Sequence, residues 1–441
     1  MPPATTRERR NRSIRRAIST SLGSKLTTAI LQFVSLPIAA RILGKEEFGI
    51  YATVSLAVLS VIALQLGVGP ALARGISEAH AKSDSRAEAR LYFNGGVLVI
   101  ALAAISLAIV AAILLVLPIP VLFGEKYAAW ERVMIPALWI GAALTVAQIV
   151  VGHTDRVLEG YMEASVVNAW NAGGNLLAAV VLVAGIHSFP SVTFLLLAVF
   201  VPNILARAVS TVFLLRKRPH LKLQLSSWDK TTLLELLKDG TSFSATASVV
   251  RIVEVNVCAL LVGRFLGPGE VAVFQVLIFI MVAFTGQVMM VGTPLWAAIV
   301  NAKADADYHW IRSAARRYYL FLGLIALTAT GGLVLLGPSL LPLWFGEEFV
   351  ADRMVFAGFS LFLVAVGWRQ VNRYLSIGLG KLHQTISSIL WGTVIGLLLG
   401  TAGLMTAGMG ALFAGMALGI LILPGRKLPQ LVWTEVRELA A

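Results

Sequence analysis

"ARILGKEEFGIY" at residues 40–51 closes the first hydrophobic run of this chain, and "GRFLGPGEVAVF" at 263–274 closes a later one. Aligned on Arg41 and Arg264, both read Arg, any, Leu, Gly, any, any, Glu, then apolar, small, apolar, aromatic. The offset of 223 residues (41 to 264) recurs to within about two residues elsewhere. "GVGPALARGISEAHAK" from Gly67 parallels "GTPLWAAIVNAKAD" from Gly292, each with a Gly-Pro break before a polar loop. "LPIPVLFGEKY" from Leu117 parallels "SLLPLWFGEEF" from Ser339, and Trp170 parallels Trp391. An ordered series at one offset is the mark of an internal duplication.

Composition says where the two halves sit. Hydrophobic residues make up 58% and charged residues 13%, with a mean hydropathy of +0.82; an ordinary soluble domain carries about 25% charge. Runs such as 97–117, 194–215 and 320–336 approach or exceed the roughly 20 residues that cross a hydrocarbon core. Hydropathy divides the chain into twelve spans: 21–43, 48–73, 92–117, 133–152, 165–186, 192–215, 241–263, 271–300, 318–337, 354–377, 384–404 and 407–424.

The formal charge of +13 does not point to nucleic acid. Of 36 Lys and Arg residues, 27 fall on the face that holds both tails and the loops after even-numbered spans, if Arg369 and Arg373 are counted there. Six (Arg41, Lys45, Lys126, Arg132, Arg264 and Arg353) fall on the other face, and Lys25, Arg207 and Arg251 fall inside spans. That asymmetry sets topology by the positive-inside rule and predicts both termini in the cytoplasm. The basic start reads as an uncleaved first span rather than a signal peptide, because its apolar run is too long. A lone cysteine, Cys258, excludes an internal disulfide and a Cys-based metal site.

Six spans per half is an even number, so both halves enter the membrane with one orientation, a parallel repeat suited to two bundles moving against each other. The expected organisation is a basic tail at 1–20, an N-lobe at 21–215, a linker at 216–240, a C-lobe at 241–424 and a tail at 425–441. In the linker, "SSWDKTTLLELLKDG" at 226–240 reads as an amphipathic surface helix presenting Trp228, Leu233, Leu234 and Leu237 to the membrane interface.

"LPIAARILGKEEFGIYATVS" at 36–55 and "GVGPALARGISE" at 67–78, set in two six-span lobes, resemble the bacterial flippases for polysaccharide repeat units. Those belong to the multidrug/oligosaccharidyl-lipid/polysaccharide (MOP) exporter superfamily. The resemblance runs from about Ser19 to Leu423. It implies an all-α integral membrane fold, twelve helices in two six-helix lobes around a central cavity, in the bacterial inner membrane. It also implies movement of an undecaprenyl-pyrophosphate-linked oligosaccharide, an exopolysaccharide or O-antigen unit, to the outer leaflet without covalent chemistry. The implied partners are that lipid-linked oligosaccharide, membrane lipids, and a polysaccharide polymerase with its export machinery.

A charge at the bilayer centre costs about 2.5–3.5 kcal/mol on insertion scales, so intramembrane polar groups are functional candidates. In the first span Lys25, Thr28, Gln32 and Ser35 form one helical stripe; in the seventh Ser244, Ser248, Arg251, Glu254 and Cys258 do the same. Under the repeat offset Lys25 maps to Ser248, Thr28 to Arg251 and Ser35 to Cys258. A pyrophosphate suits arginine's forked donors in a site of low dielectric. Arg251 lies about ten residues into its span, roughly 15 Å deep, and Lys25 about one turn inside. These two are the expected capture groups, with Glu254 neutralising Arg251 from i+3. Plainer readings stand beside these: Lys25 and Arg207 as snorkelling cations, and Arg251 with Glu254 as a self-contained pair. Gln65, Gln148, Asn171, Asn175, Gln275 and Gln287 could bind sugar hydroxyls or join helices. Pro37, Pro70, Pro202 and Pro294 interrupt spans; Pro37, Pro70 and Pro294 are the candidate bend points.

No His pair has metal-ligand spacing, no phosphate-binding Gly-Lys loop is present, and neither a metal nor a cofactor is expected. A cation-coupled drug exporter of the same superfamily is the alternative; it would want buried carboxylates, and within the spans as drawn Glu254 alone qualifies. A polymerase or ligase is disfavoured by short outer loops. A lipid-linked peptidoglycan precursor flippase usually carries two further spans.

Overall fold

The computed structural model describes residues 20, 23–60, 67–222 and 225–438, without the side chains of 225, 241–248, 297, 437 and 438. Among these residues the chain is all-helical, and ten helices are long and apolar enough to cross a membrane. Helix α1 (Gly23–Leu59) holds the first span and the start of the second, bent at Gly44. The second continues as α2 (Val68–Ala81). Spans three to six are α3 (Ser85–Val116), α4 (Glu131–Gly160), α5 (Ala164–Gly185) and α6 (Val192–Lys217). The seventh is α7 (Lys230–Arg251), a π-helical turn at Ile252–Val257 and α8 (Cys258–Leu266). Spans eight to twelve are α9 (Pro268–Ala304), α10 (Tyr308–Phe345), α11 (Arg353–Gly378), α12 (Leu382–Ala407) and α13 (Met409–Ile422). A further helix, α14 (Pro424–Glu438), follows. The basic tail, Gln65 and the side chains of Ser244 and Ser248 lie outside the described residues.

The duplication is written into the backbone as well as the sequence. Gly44 (φ 82°, ψ 169°) and Gly267 (φ 103°, ψ 174°) turn the opening corner in the same way. That combination of positive φ and extended ψ is essentially confined to glycine. Gly124 (φ 110°, ψ 160°) and Gly346 (φ 118°, ψ 157°) repeat the Phe-Gly-Glu corner. Ser83 and Ala306 take left-handed φ values of 56° and 55°. Each is followed by an aspartate, Asp84 or Asp307, whose carboxylate caps α3 or α10 by accepting the N–H of Ala87 or Trp310. The first and seventh spans both carry a π-helical turn, at Leu31–Ser35 and Ile252–Val257. One pair departs from symmetry: Gly67 is left-handed and starts α2 ahead of Pro70, whereas Gly292 lies inside unbroken α9 with Pro294. There the rings of Tyr374 and Tyr318 occupy the space a side chain at 292 would need.

By contacts the chain divides into two units, Met1–Val249 and Val250–Ala441. In the first, Val68, Leu72 and Ile76 of α2 form a core with Tyr92 of α3 and Val157 and Leu158 of α4. In the second, Phe413 of α13 meets Phe274, Phe359 and Phe362 at ring distances of 5.6, 5.1 and 5.8 Å. Large apolar side chains also face outward: Leu115 and Leu335 are each 78% exposed, as expected of helices that meet lipid.

Two segments expected as peripheral are built into the units. The 226–240 stretch does not end as a separate surface helix but runs on as α7 into the seventh span. Leu236 is buried in the first unit's core with Leu233 and Leu237 against it, while Trp228 and Leu234 stay exposed. Its start is fixed by Asn94 of α3, whose amide donates to the Ser227 carbonyl and accepts the Asp229 N–H, at 2.8 and 3.0 Å. The expected C-terminal tail is mostly α14: Leu428, Val432 and Val436, spaced four apart, are buried. Glu435 grips Lys303 and Lys381 at 2.8 and 2.7 Å. Four-residue spacing of apolar side chains makes one sticky helix face, and that face has a partner.

Candidate functional site

Within the first unit the stripe of the first span is partly used for packing. Lys25 is exposed, Thr28 and Gln32 are half-buried and Ser35 is buried. The Thr28 hydroxyl donates to the Ser24 carbonyl at 2.9 Å and accepts the amide of Asn175, on α5, at 2.8 Å. Pro37 stands two residues after the end of the π turn. The equivalent turn at 252–257 has no proline after it, so proline is not what imposes the extra residue per turn.

The first unit also holds an ion pair inside its helices. Arg207 of α6 donates from Nε to Asp155 Oδ2 at 3.0 Å and from Nη2 to the Asn171 amide oxygen at 3.2 Å. It therefore turns inward to a partner instead of snorkelling. Residue 155 falls beyond the fourth span expected at 133–152, but α4 runs on to Gly160 and buries Asp155. A cavity of about 160 Å³ opens here, lined among others by Gln148, His153, Asp155 and Arg207. His153 donates from Nε2 to the Tyr92 carbonyl at 3.0 Å. Among the described residues, neither Asp155 Oδ1 nor His153 Nδ1 has a hydrogen-bond partner. Beyond the end of α4, Glu163 accepts from Lys217 and Arg218 at 2.9 and 2.7 Å. Burial pushes its carboxyl up, but those hydrogen bonds and charges outweigh it and hold it below the ordinary carboxylate range. Arg218 also sits 3.6 Å above the Tyr161 ring.

In the second unit the expected pairing of Glu254 with Arg251 does not form. Glu254 makes a two-pronged ion pair with Arg369 of α11, one prong at 2.8 Å. Each side chain is 6% exposed. The π turn begins right after Arg251, and its wider turn rotates Glu254 off the Arg251 side toward α11. Arg251 is exposed, and no ion pair to it occurs among the described residues. Beside the pair, Asn372 is fully buried, donates to the Trp368 carbonyl at 2.8 Å and accepts from the Tyr319 hydroxyl at 2.5 Å. Trp368 in turn donates to the Gly425 carbonyl at 2.9 Å, joining α11 to α14.

Sequence reasoning put Asp155 beyond the fourth span and counted Arg369, in the last turns of the tenth, with the cytoplasmic face, and gave neither of them a partner. For Arg369 a signal existed, since "FLVAVGWRQV" at 362–371 is apolar on both sides of it. For Asp155 the signal was Arg207, a cation inside a span that needs a counter-charge.

Comparison with known proteins agrees with this anatomy. Residues 14–300 match the model of a family described as polysaccharide biosynthesis protein. No curated protein matches. A solved structure of a multidrug resistance MATE family transporter of the MOP superfamily, in an inward-facing conformation, is similar with a TM-score of 0.77. It is 16% identical and aligns over 93% of this chain and 94% of that one. A MOP superfamily transporter from Pyrococcus furiosus, whose description speaks of a binding pocket of reverse polarity, has a TM-score of 0.67. It too is 16% identical, over 97% and 96% of the two chains. Two six-span lobes with repeated glycine corners, and a family model covering more than half of the sequence, lead to one assignment: the chain belongs to the polysaccharide biosynthesis protein family and is a multi-pass membrane protein with the fold of MOP superfamily transporters.

Proposed function

We propose that the protein is a flippase carrying an undecaprenyl-pyrophosphate-linked oligosaccharide from the cytoplasmic to the outer leaflet of the bacterial inner membrane by alternating access, with no covalent step. The observation that carries the reading is the charge left over in the seventh span. Glu254 is neutralised by Arg369, so Arg251, exposed on the same span, keeps its positive charge for an anionic ligand. Lys25 on the repeat-equivalent helix is exposed as well. In this reading Lys25 meets the pyrophosphate first and Arg251 draws it inward, while Thr28, Gln32 and Ser248 offer hydroxyl and amide groups along the same two stripes. Glu254 keeps its own span in register instead of binding cargo. Bending at Pro37, Pro70 and Pro294 supplies the motion, and a polymerase that consumes the delivered unit is the expected partner.

The test is translocation of a fluorescent lipid-linked oligosaccharide in vesicles holding the purified protein. Arg251→Ala is expected to lower the initial rate at least tenfold, and Arg251→Lys to restore part of it, because a point charge replaces a fork. An undiminished rate in Arg251→Ala removes the proposed role.

One observation favours a second reading, a cation-coupled exporter: the buried Asp155, whose Oδ1 has no partner among the described residues, is the kind of carboxylate such a carrier uses. Export of a cationic dye from the same vesicles, without lipid movement, would decide for it.

A further inference from the structure

Helix α10 changes character along a single face. Arg312 and Arg316 stand one turn apart, followed on the same side by Leu320, Leu324 and Leu327. Steps of four, four, four and three residues keep all five within about a third of the helix circumference. The leucines are 65, 64 and 72% exposed and both arginines are exposed. Neither arginine has an ion-pair or hydrogen-bond partner among the described residues. Beside them opens a cavity of about 560 Å³ lined by Arg312, Arg316, Tyr319, Leu320 and Trp433.

The aromatic wall of that cavity is held in place. Tyr319 is fixed by its hydrogen bond to Asn372 and lies between Trp368 and Trp433, at ring distances of 5.1 and 6.3 Å. Trp433 comes from α14, which is held by its buried Leu428 and Val432 and by the grip of Glu435 on Lys303 and Lys381. Two cations with no counter-ion among the described residues, an aromatic wall shared with α14 and a strip of exposed leucine thus follow one another along α10.

We propose that this pocket binds the phosphate headgroup of an anionic membrane phospholipid. Arg312 and Arg316 pair the phosphate through forked donors. The Trp433 and Tyr319 rings lie against the glycerol, at the depth where such rings settle, and an acyl chain runs along Leu320, Leu324 and Leu327. Basic pockets at the edge of a helix bundle recognise anionic headgroups in this way. The site lies wholly on helices of the second unit and is separate from the cargo stripes. Its failure would leave the flippase reading untouched.

Native mass spectrometry of the full-length protein, titrated with phosphatidylglycerol or with neutral phosphatidylcholine, tests it. The unaltered protein is expected to retain phosphatidylglycerol about tenfold more tightly than phosphatidylcholine. Arg312→Ala/Arg316→Ala is expected to lose that preference, and Trp433→Ala, which leaves both cations, to reduce it severalfold. Equal retention by the unaltered protein and the double variant would overturn the proposal. So would full displacement of the lipid by inorganic phosphate, which would make the site one for a free anion.

Discussion

Glu254 and Arg369 meet with about 6% of each side chain exposed, so neither charge has water available if the other is removed. Breaking such a pair from one side costs about 3–5 kcal/mol, whereas replacing both partners by apolar groups of similar size is often neutral. Arg369→Met is therefore expected to lower the thermal midpoint of the detergent-purified protein sharply, and Glu254→Leu added to it to recover most of the loss. If the double variant were no better than the single one, the pair would not be the cause. The Asp155–Arg207 pair, with side chains 10 and 19% exposed, is a milder case. The chain signals that Arg207 needs a counter-charge without saying which, and the spacing between Arg251 and Glu254 suggests a local partner, whereas the π turn sends Glu254 elsewhere.

At the scale of elements, glycine decides how closely helices approach. Gly392, Gly396 and Gly400 on α12 face Gly415 and Gly419 on α13, at four-residue spacing on each helix. A Cβ on Gly419 would fall 2.2 Å from the Gly396 backbone nitrogen, and one on Gly415 2.4 Å from that of Gly400. No rotamer relieves a clash with backbone, so the helices would have to part, and close packing is what holds membrane helices together. Gly419→Ala is expected to destabilise by about 3 kcal/mol, the upper end for an overfilled core. Gly331→Ala on α10, where nothing lies within 4 Å, is expected to be neutral or slightly stabilising. Thermal scans of both variants check this, and equal midpoints would refute it. In "NAGGN" at 171–175 two glycines stand side by side, a composition that by itself suggests close packing. There a Cβ on Gly174 would meet Asn203 at 2.7 Å, while Gly173 is open. Composition points to small-residue seams without saying which of them is closed.

At the scale of the molecule, each unit is tied off by a segment that hydropathy leaves outside the spans. In the first unit the tie is the start of α7, through Leu236 and Asn94. In the second it is α14, through Leu428, Val432 and Glu435. Ending the chain after Leu423 would expose that apolar seat and leave Lys303 and Lys381 without their carboxylate. Limited proteolysis is expected to show faster cleavage confined to residues after 250, with the first unit as protected as before. Uniform loss of protection would show that α14 supports the whole chain.

Several helices outrun the expected spans, α4 to Gly160 rather than 152 and α7 from Lys230 rather than 241, but membrane insertion, an all-helical chain and the duplication were present in the sequence. They depend on local quantities: the length of an apolar run, the side on which cations collect, and glycine where the backbone takes a positive φ. The tertiary structure alone decided which charge answers which, Glu254 with Arg369, Asp155 with Arg207, and Glu435 with Lys303 and Lys381. Those partners lie on different helices, and the spacing of residues along one helix carries no information about which other helix will be packed against it.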